Sequence, residues 1–246
     1  YNSARNWNGG GMHTSHDYGF GEVDARAAVR LAETWHTQSV YLNEVNRSAS
    51  SGALGVAIPD NGTTLSRTLS MASGLTVESA QVTVALTHQY WGDLIIKLIS
   101  PSGTESVLVN RSGKALGSGA SDRGDSISGT MNFSFNSTHL RGEDSGGVWT
   151  LQVTDAVTGE TGTLSNWKLD LYGALEGVDD VYVYTNEFAS FAGTARNTLA
   201  DSDGGVDILN ASAATGNSTI NLNAGVLSTI AGKSLTITGT LEKVYA

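Results

Sequence analysis

The chain has no cysteine, only two prolines, and 14 basic residues among 246. Without thiols there is neither a disulfide framework nor a thiolate metal site, so any external staple has to be held by oxygen or nitrogen ligands. The 24 acidic residues outnumber the basic ones and set a net charge of -10. A field of that sign repels phosphate backbones and anionic lipid, so no nucleic acid is expected as a partner, and no membrane surface. It suits a hard cation, and calcium is the natural counter-ion for clustered Asp. No stretch approaches the ~18 apolar residues of a membrane span, so no membrane insertion is expected. No signal peptide opens the chain, but Tyr1 stands in mid-pattern without an initiator Met, so the missing leader is uninformative.

What is abundant is glycine and alternation. Thirty Gly, 39% hydrophobic residues and 15% charged residues describe a globular, loop-rich, all-β protein. In WTLQVT, Trp149, Leu151 and Val153 point one way and Thr150, Gln152 and Thr154 the other. Trp167, Leu169 and Leu171 repeat the pattern, as do Val82, Val84 and Leu86. A strict period of two suits half-buried antiparallel strands, and the Gly, Ser, Asn and Asp turns between them have the spacing of a sandwich or jelly roll. Helical spacing occurs once: Asp24 is a good N-cap, and Ala25, Ala28, Val29, Ala32 and Trp35 form an apolar stripe.

The landmarks HQYWGDL (88–94), SPSGT (100–104), GEDSGGVWTLQVTD (142–155) and GTLSNWKLDLYG (162–173) resemble, in order and spacing, the P domain (Homo B domain) of kexin-like and furin-like proprotein convertases and of related bacterial subtilisin-type proteases. The resemblance covers about residues 39 to 173. It implies an eight-stranded jelly roll that abuts a protease domain and supports its folding. Upstream, HDYGFGEVDARAAVRLAETW looks like the last segment of a subtilisin or kexin catalytic domain, which ends in a helix. Downstream, DGGVDILNASA, STINLNAGVLSTIAGKSLTI and TLEKVYA resemble the lead-in of the serralysin C-terminal domain that precedes the calcium-binding repeats of RTX proteins.

The fold class expected is therefore mainly β: a jelly-roll β-sandwich with one N-terminal helix and a C-terminal partial β-roll or β-solenoid. The domains expected are 1–38, the end of the catalytic domain; 39–174, the P domain; and 175–246, the RTX-like lead-in. The function implied is the C-terminal part of a secreted, calcium-dependent serine endopeptidase. Its partner would be its own upstream catalytic domain, with further RTX repeats as another possible neighbour. The family's nucleophile, in a GTSxA-type helix start, and its Asp, His and oxyanion-hole Asn fall in segments absent here, so the chain is not expected to be active alone. An independent adhesion module, using Tyr90 and Trp91, is the alternative from another class.

His88, Ser102 and Asp93 are the residue types of a hydrolase triad. Ser102 lies in a Pro-Ser-Gly turn, however, and neither GxSxG nor HExxH occurs, so a hairpin turn is the better reading. His16 and Asp17 read as a solvated loop pair rather than a remnant dyad. Asp93, Asp122, Asp125 and Asp155 fall at strand ends or in loops, where carboxylates can converge on calcium, which needs 6 to 8 oxygens; Asp60 in the IPDN turn is either a ligand or a turn cap. Asp201, Asp203 and Asp207 are further calcium candidates in the serralysin-like segment, although the repeat GGxGxDxUx needs a second Gly-x-Asp step that the chain does not reach. Short strands such as STINL and SLTITGT, stacked in a parallel coil, would need a cation between their Asp-bearing turns to offset repulsion. The tripeptide RGD at 123–125 carries little weight, and the seven glycosylation sequons follow from an Asn- and Ser-rich composition.

Overall fold

A computed structural model describes residues 6–35, 39–191 and 197–246. The chain forms two compact units. One joins the residues up to Gly21 to Ser39–Glu176, and the other joins Glu22–Gln38 to Gly177–Ala246.

The first unit opens with a short antiparallel ladder of β1 (Asn6–Trp7) and β2 (His13–Thr14). Its body is a β-sandwich built from β3 (Val45–Ser50), β4 (Val56–Ile58), β5 (Thr64–Met71), β6 (Leu75–His88), β7 (Leu94–Ile99), β8 (Glu105–Asn110), β9 (Gly129–Ser137), β10 (Gly147–Asp155) and β11 (Gly162–Leu175). One sheet runs β5-β10-β7-β8 and the other β3-β11-β6-β9, with β4 on β11, and every pairing is antiparallel. Non-consecutive neighbours of this kind mark connections that cross between sheets, as the jelly-roll expectation requires.

The predicted inward residues Val82, Val84, Leu86, Trp149, Leu151, Val153, Trp167, Leu169 and Leu171 are all fully buried and belong to one core with Leu75, Leu94, Ile96, Leu98 and Leu164. Two bulges keep the long strands in phase. Between Leu164 and Asn166, and again opposite Tyr172 and Gly173, one strand carries an extra residue against its partner. An extra residue flips the parity of alternation. Leu164 and Trp167, three apart, thus both face the core, as do Val77 and Ala80 on β6.

In the second unit, Asp24 caps the helix α1 (Ala25–Ala32) by accepting from Ala27 N at 2.9 Å. The predicted stripe does not turn inward: Val29 and Trp35 are 61% and 60% exposed. The half-buried residues are instead Ala27, Arg30, Leu31 and Thr34. The reason is polar anchoring. Arg30 Nε donates to Ser212 O at 3.4 Å, Ser212 Oγ donates to Arg30 O at 3.3 Å, and Asn210 Nδ2 donates to Thr34 Oγ1 at 2.8 Å.

The strands of this unit are β12 (Val181–Val183), β13 (Thr198–Ala200), β14 (Ile208–Asn210), β15 (Leu227–Ile230), β16 (Lys233–Thr238) and β17 (Lys243–Tyr245). β12, β14 and β17 pair in parallel, as do β13 and β16, while β15 runs antiparallel to β16. This is a partial parallel roll around a smaller core of Phe188, Leu199, Leu209, Ala211, Ile230, Leu235, Ile237 and Leu241. SLTIT takes its place in the coil, but STINL makes only one antiparallel bridge, Thr219 to Thr229. Asn221 Oδ1 accepts from Asn223 N at 3.0 Å, an Asx turn that bends the chain where a second full strand would have run.

Candidate metal centre and docking groove

Three carboxylates of the roll converge. One oxygen each of Asp180, Asp201 and Asp203 lies within 4.8 Å of the others. Asp207 sits beside them: its Oδ1 accepts from Asp180 N at 2.8 Å, while its Oδ2 is buried without a hydrogen-bond partner. Tyr182 closes the group, donating to Asp180 Oδ2 at 3.0 Å and to Asp201 Oδ1 at 3.4 Å. Burial, then the charges of Asp207 and Asp203, push the Asp201 carboxyl above its ordinary range. Burial and the acceptor on Asp180 push the Tyr182 phenol up as well.

The Gly-Gly turn makes this crowding feasible. Gly205 has φ +117, and a Cβ there would overlap Val178 O. Its neighbour Val206 N donates to Asp179 Oδ1 at 2.8 Å, which ties the 179–180 turn to the 203–207 turn. Sequence reading located Asp201, Asp203 and Asp207 but did not include Asp180. The available signal was the Asp179-Asp180 pair opening the alternating VYVY strand.

The other five predicted ligands lie in the sandwich unit, and there the fold gives each a protein partner. Asp93 is fully buried against the Arg123 guanidinium, with Arg111 Nη2 at 3.8 Å. Arg123 also grips Glu160 and stacks over Tyr90, 4.6 Å from the ring centroid. That double grip, Glu160 first, raises the Arg123 guanidinium and holds Glu160 below the usual carboxylate range. The RGD tripeptide is thereby tied down at its Arg.

Asp122 accepts from Ala115 N at 2.9 Å and from Gly124 N at 3.0 Å. Hydrogen bonds from Ser118 and from these amides pull it down to about 2. Asp125 takes the Ser112 hydroxyl, and Asp60 accepts from Gly159 N with both oxygens, at 2.9 and 3.0 Å, as a turn cap does. Asp155 faces His88: Oδ2 lies 3.0 Å from Nε2 with both side chains fully buried. Burial raises the Asp155 carboxyl, and the His88 contact partly offsets it.

These arrangements leave no hydrolase triad. His88 is committed to Asp155 and to Tyr90, whose carbonyl lies 2.7 Å from Nδ1. Ser102 donates to Glu143 Oε2 at 2.8 Å from within a tight turn in which Gly103 N donates to Ser100 O.

That turn belongs to a groove that holds the N-terminal segment. Asn8 is buried, and its Nδ2 donates to His139 O and Arg141 O, both at 2.9 Å. Gly9 N donates to Glu143 Oε1 at 3.0 Å and to Thr104 Oγ1 at 3.1 Å. A Cβ at Gly9 would overlap Ser102, and one at Gly10 would overlap the Gly142 backbone, so the glycines set how closely the loop approaches. Further along, His16 Nε2 accepts from Val107 N at 2.8 Å, and its ring stacks on His139 at 4.2 Å. Asn8 ahead of three glycines was the available sign that the loop is held rather than free.

Comparison with known proteins gives this geometry a relationship. Residues 77–171 match the family profile described as the proprotein convertase P-domain. Human proprotein convertase subtilisin/kexin type 5 is 34% identical over 206 residues, covering 76% of this chain and 10% of that protein. The Aeromonas extracellular serine protease of Aeromonas sobria is 34% identical over 157 residues, covering 62% of this chain and 25% of that protein. Bovine furin is 32% identical over 182 residues, 72% and 22% of the two chains.

The solved structure of the Aeromonas sobria serine protease in complex with its chaperone superimposes with a TM-score of 0.57 at 28% identity, over 69% of this chain and 33% of that one. The present chain thus spans between a tenth and a third of the proteins it matches. Residues 77–171 of its sandwich are thus a proprotein convertase P-domain, like those of the subtilisin-type proteases it matches.

Proposed function

We propose that this chain is the C-terminal part of a secreted, calcium-dependent subtilisin/kexin-type serine endopeptidase, in which the P domain stabilises the catalytic domain. The observation that carries the reading is the seating of Asn8–Gly10 on the sandwich. The N-terminal segment, which the domain expectation of 1–38 makes the end of a catalytic domain, is held through Asn8 to the His139 and Arg141 carbonyls and through Gly9 to Glu143. A fold that buries its neighbour's last loop against its own turns lowers the free energy of that neighbour's folded state, because the contact exists only when both are folded. The exposed stripe of α1, with Val29 and Trp35 outward, is apolar surface of the kind such a catalytic domain would cover.

Calcium enters through the roll. The donors of Asp180, Asp201, Asp203 and Asp207 are all hard oxygens, which fit calcium and not a thiolate-seeking metal. The buried Asp207 Oδ2 without a partner is the acceptor such an ion would satisfy. A bound cation would supply charge compensation and cross-link the 180, 201–203 and 207 turns; it has no role in bond cleavage here. Localisation outside the cell, where calcium is plentiful, agrees with the relative named an extracellular protease. The adhesion alternative loses its platform, since Arg123 covers Tyr90 and Trp91 packs against the core.

The test is expression of the reading frame with the residues that precede Tyr1, with and without 39–174. The expected result is peptide-bond hydrolysis in both, with the melting temperature of the catalytic domain falling when the sandwich is deleted. An upstream sequence without Asp, His and GTSxA segments, or a catalytic domain indifferent to the deletion, would overturn the reading.

A further inference from the structure

The groove holds its segment in two different ways. Asn8 and Gly9 are fixed by hydrogen bonds to backbone carbonyls and to a carboxylate, none of which needs an imidazole. The stretch from His13 to Gly19 is held by an unprotonated imidazole nitrogen. His16 Nε2 accepts the Val107 amide on the edge strand β8, and an imidazolium has no lone pair with which to do so. The ring beneath it is a second histidine, 4.2 Å away and inclined at 21°, so protonation would also place two cations face to face.

We infer that His16 and His139 form a proton-released latch, which frees residues 13–19 from the sandwich on acidification while the Asn8–Gly10 anchor stays in place. The meaning of the release for a protease rests on the function proposed above, because the string that resembles the end of a catalytic domain begins at His16. The latch itself is a property of this chain.

The surrounding charges do not rescue the protonated pair. The other titratable groups lining the cleft are Asp17 and Glu105. Asp17 is exposed, and Glu105 is paired with Lys97 at 2.9 Å. Glu143, beneath the anchor, is taken up by Gly9 and Ser102. His139 Nε2 is buried without a hydrogen-bond partner, and the Ser15 backbone only partly favours the protonated ring. Burial, and then the proximity of His16, hold the His139 imidazole below its ordinary value. A histidine depressed in the docked state stabilises docking above its free value near ~6.5, and that contribution is lost as pH falls toward the lowered value.

The experiment is hydrogen exchange by NMR on the whole chain between pH 7.5 and 5, with protection factors corrected for intrinsic rates. The Val107 and Ser15 amides are expected to lose protection by up to about tenfold per pH unit for each proton coupled to release, while the amides of β10 and β11 hold theirs. In H139F the stacked ring stays and the charge cannot form, so the loss moves to lower pH. In H16Q a neutral side-chain oxygen can accept the same amide, so the pH dependence that remains is that of the buried His139 alone and is expected to be weaker.

Protection of Val107 that is flat with pH in the native chain overturns the latch. So does a loss that persists unchanged in H139F, and that second criterion holds even if H16Q fails to dock at pH 7.5. None of these readouts involves proteolysis. A failed latch therefore leaves the proposed function standing, and an inactive upstream domain leaves the latch standing.

Discussion

The sandwich and the roll solve the same electrostatic problem in opposite ways. Both gather aspartates, some of them fully buried. In the sandwich, Asp93 meets Arg123, Asp155 meets His88, and Asp122 meets backbone amides. In the roll, Asp180, Asp201, Asp203 and Asp207 face one another and Tyr182, and among the described residues no Lys or Arg forms an ion pair with any of them. The sandwich also has the larger hydrophobic core, with two fully buried tryptophans, against a core of eight mostly aliphatic residues in the roll. A unit that supplies partners for its own carboxylates needs no outside ion to balance them. A unit that gathers like charges around a small core would gain stability from a cation brought from outside, which is the proposal made for the roll.

The comparison breaks most sharply at Trp149. It is fully buried between β5 and β7, and its Nε1 donates to Ser145 O at 2.8 Å. Trp149→Ala removes an aromatic side chain from a close-packed interior, with an expected loss of about 3 to 5 kcal/mol. Urea denaturation followed by near-ultraviolet circular dichroism measures it. A loss under about 1 kcal/mol would mean that the core is not the sandwich's main support.

The second test removes a buried hydrogen-bond partner. His88→Leu leaves Asp155 buried without the imidazole that faces it, at a cost of about 1 to 3 kcal/mol, less when the carboxyl escapes by protonating. Because the Asp155 carboxyl is raised in the folded state, its contribution is favourable below the unfolded value and declines as pH rises. The variant's deficit should therefore be larger at pH 8 than at pH 5. A deficit that is flat across that range would show that Asp155 does not depend on His88.

The third test concerns the roll, and the effect expected at calcium a hundredfold above its dissociation constant is about 2.7 kcal/mol. Without calcium, the raised Asp201 carboxyl favours folding at low pH, and that contribution is lost as pH rises through the raised value. With calcium the trend reverses, because the ion binds the ionised carboxylates. Asp201→Asn is expected to stabilise the calcium-free roll at neutral pH and to shrink the calcium response. Calorimetry with calcium and then with chelator checks both, and identical curves would remove the metal from the account.

The alternation of Trp149-Leu151-Val153 and Trp167-Leu169-Leu171 was legible because side-chain direction in a strand repeats every two residues, a rule local to each segment. The bulges near Ser165 and Glu78 were not legible. Nothing in six residues of sequence says where a partner strand will keep pace. The outward turn of the α1 stripe has the same cause: Ser212, which fixes that helix, lies 182 residues from Arg30.

The candidate site divides along the same line. Asp201, Asp203 and Asp207 were readable because a Gly-Gly turn brings them together over seven residues, a distance at which chain geometry alone nearly settles proximity. Which aspartates of the sandwich would find an arginine, a histidine or an amide was decided by folding. His88 and Asp155 are 67 residues apart, and Asn8 and Arg141 are 133 apart. Composition and period thus determined that this chain forms pleated layers with an acidic tail. Only packing in three dimensions chose a partner for each charge, because a Coulomb contact depends on separation in space and is blind to separation along the chain.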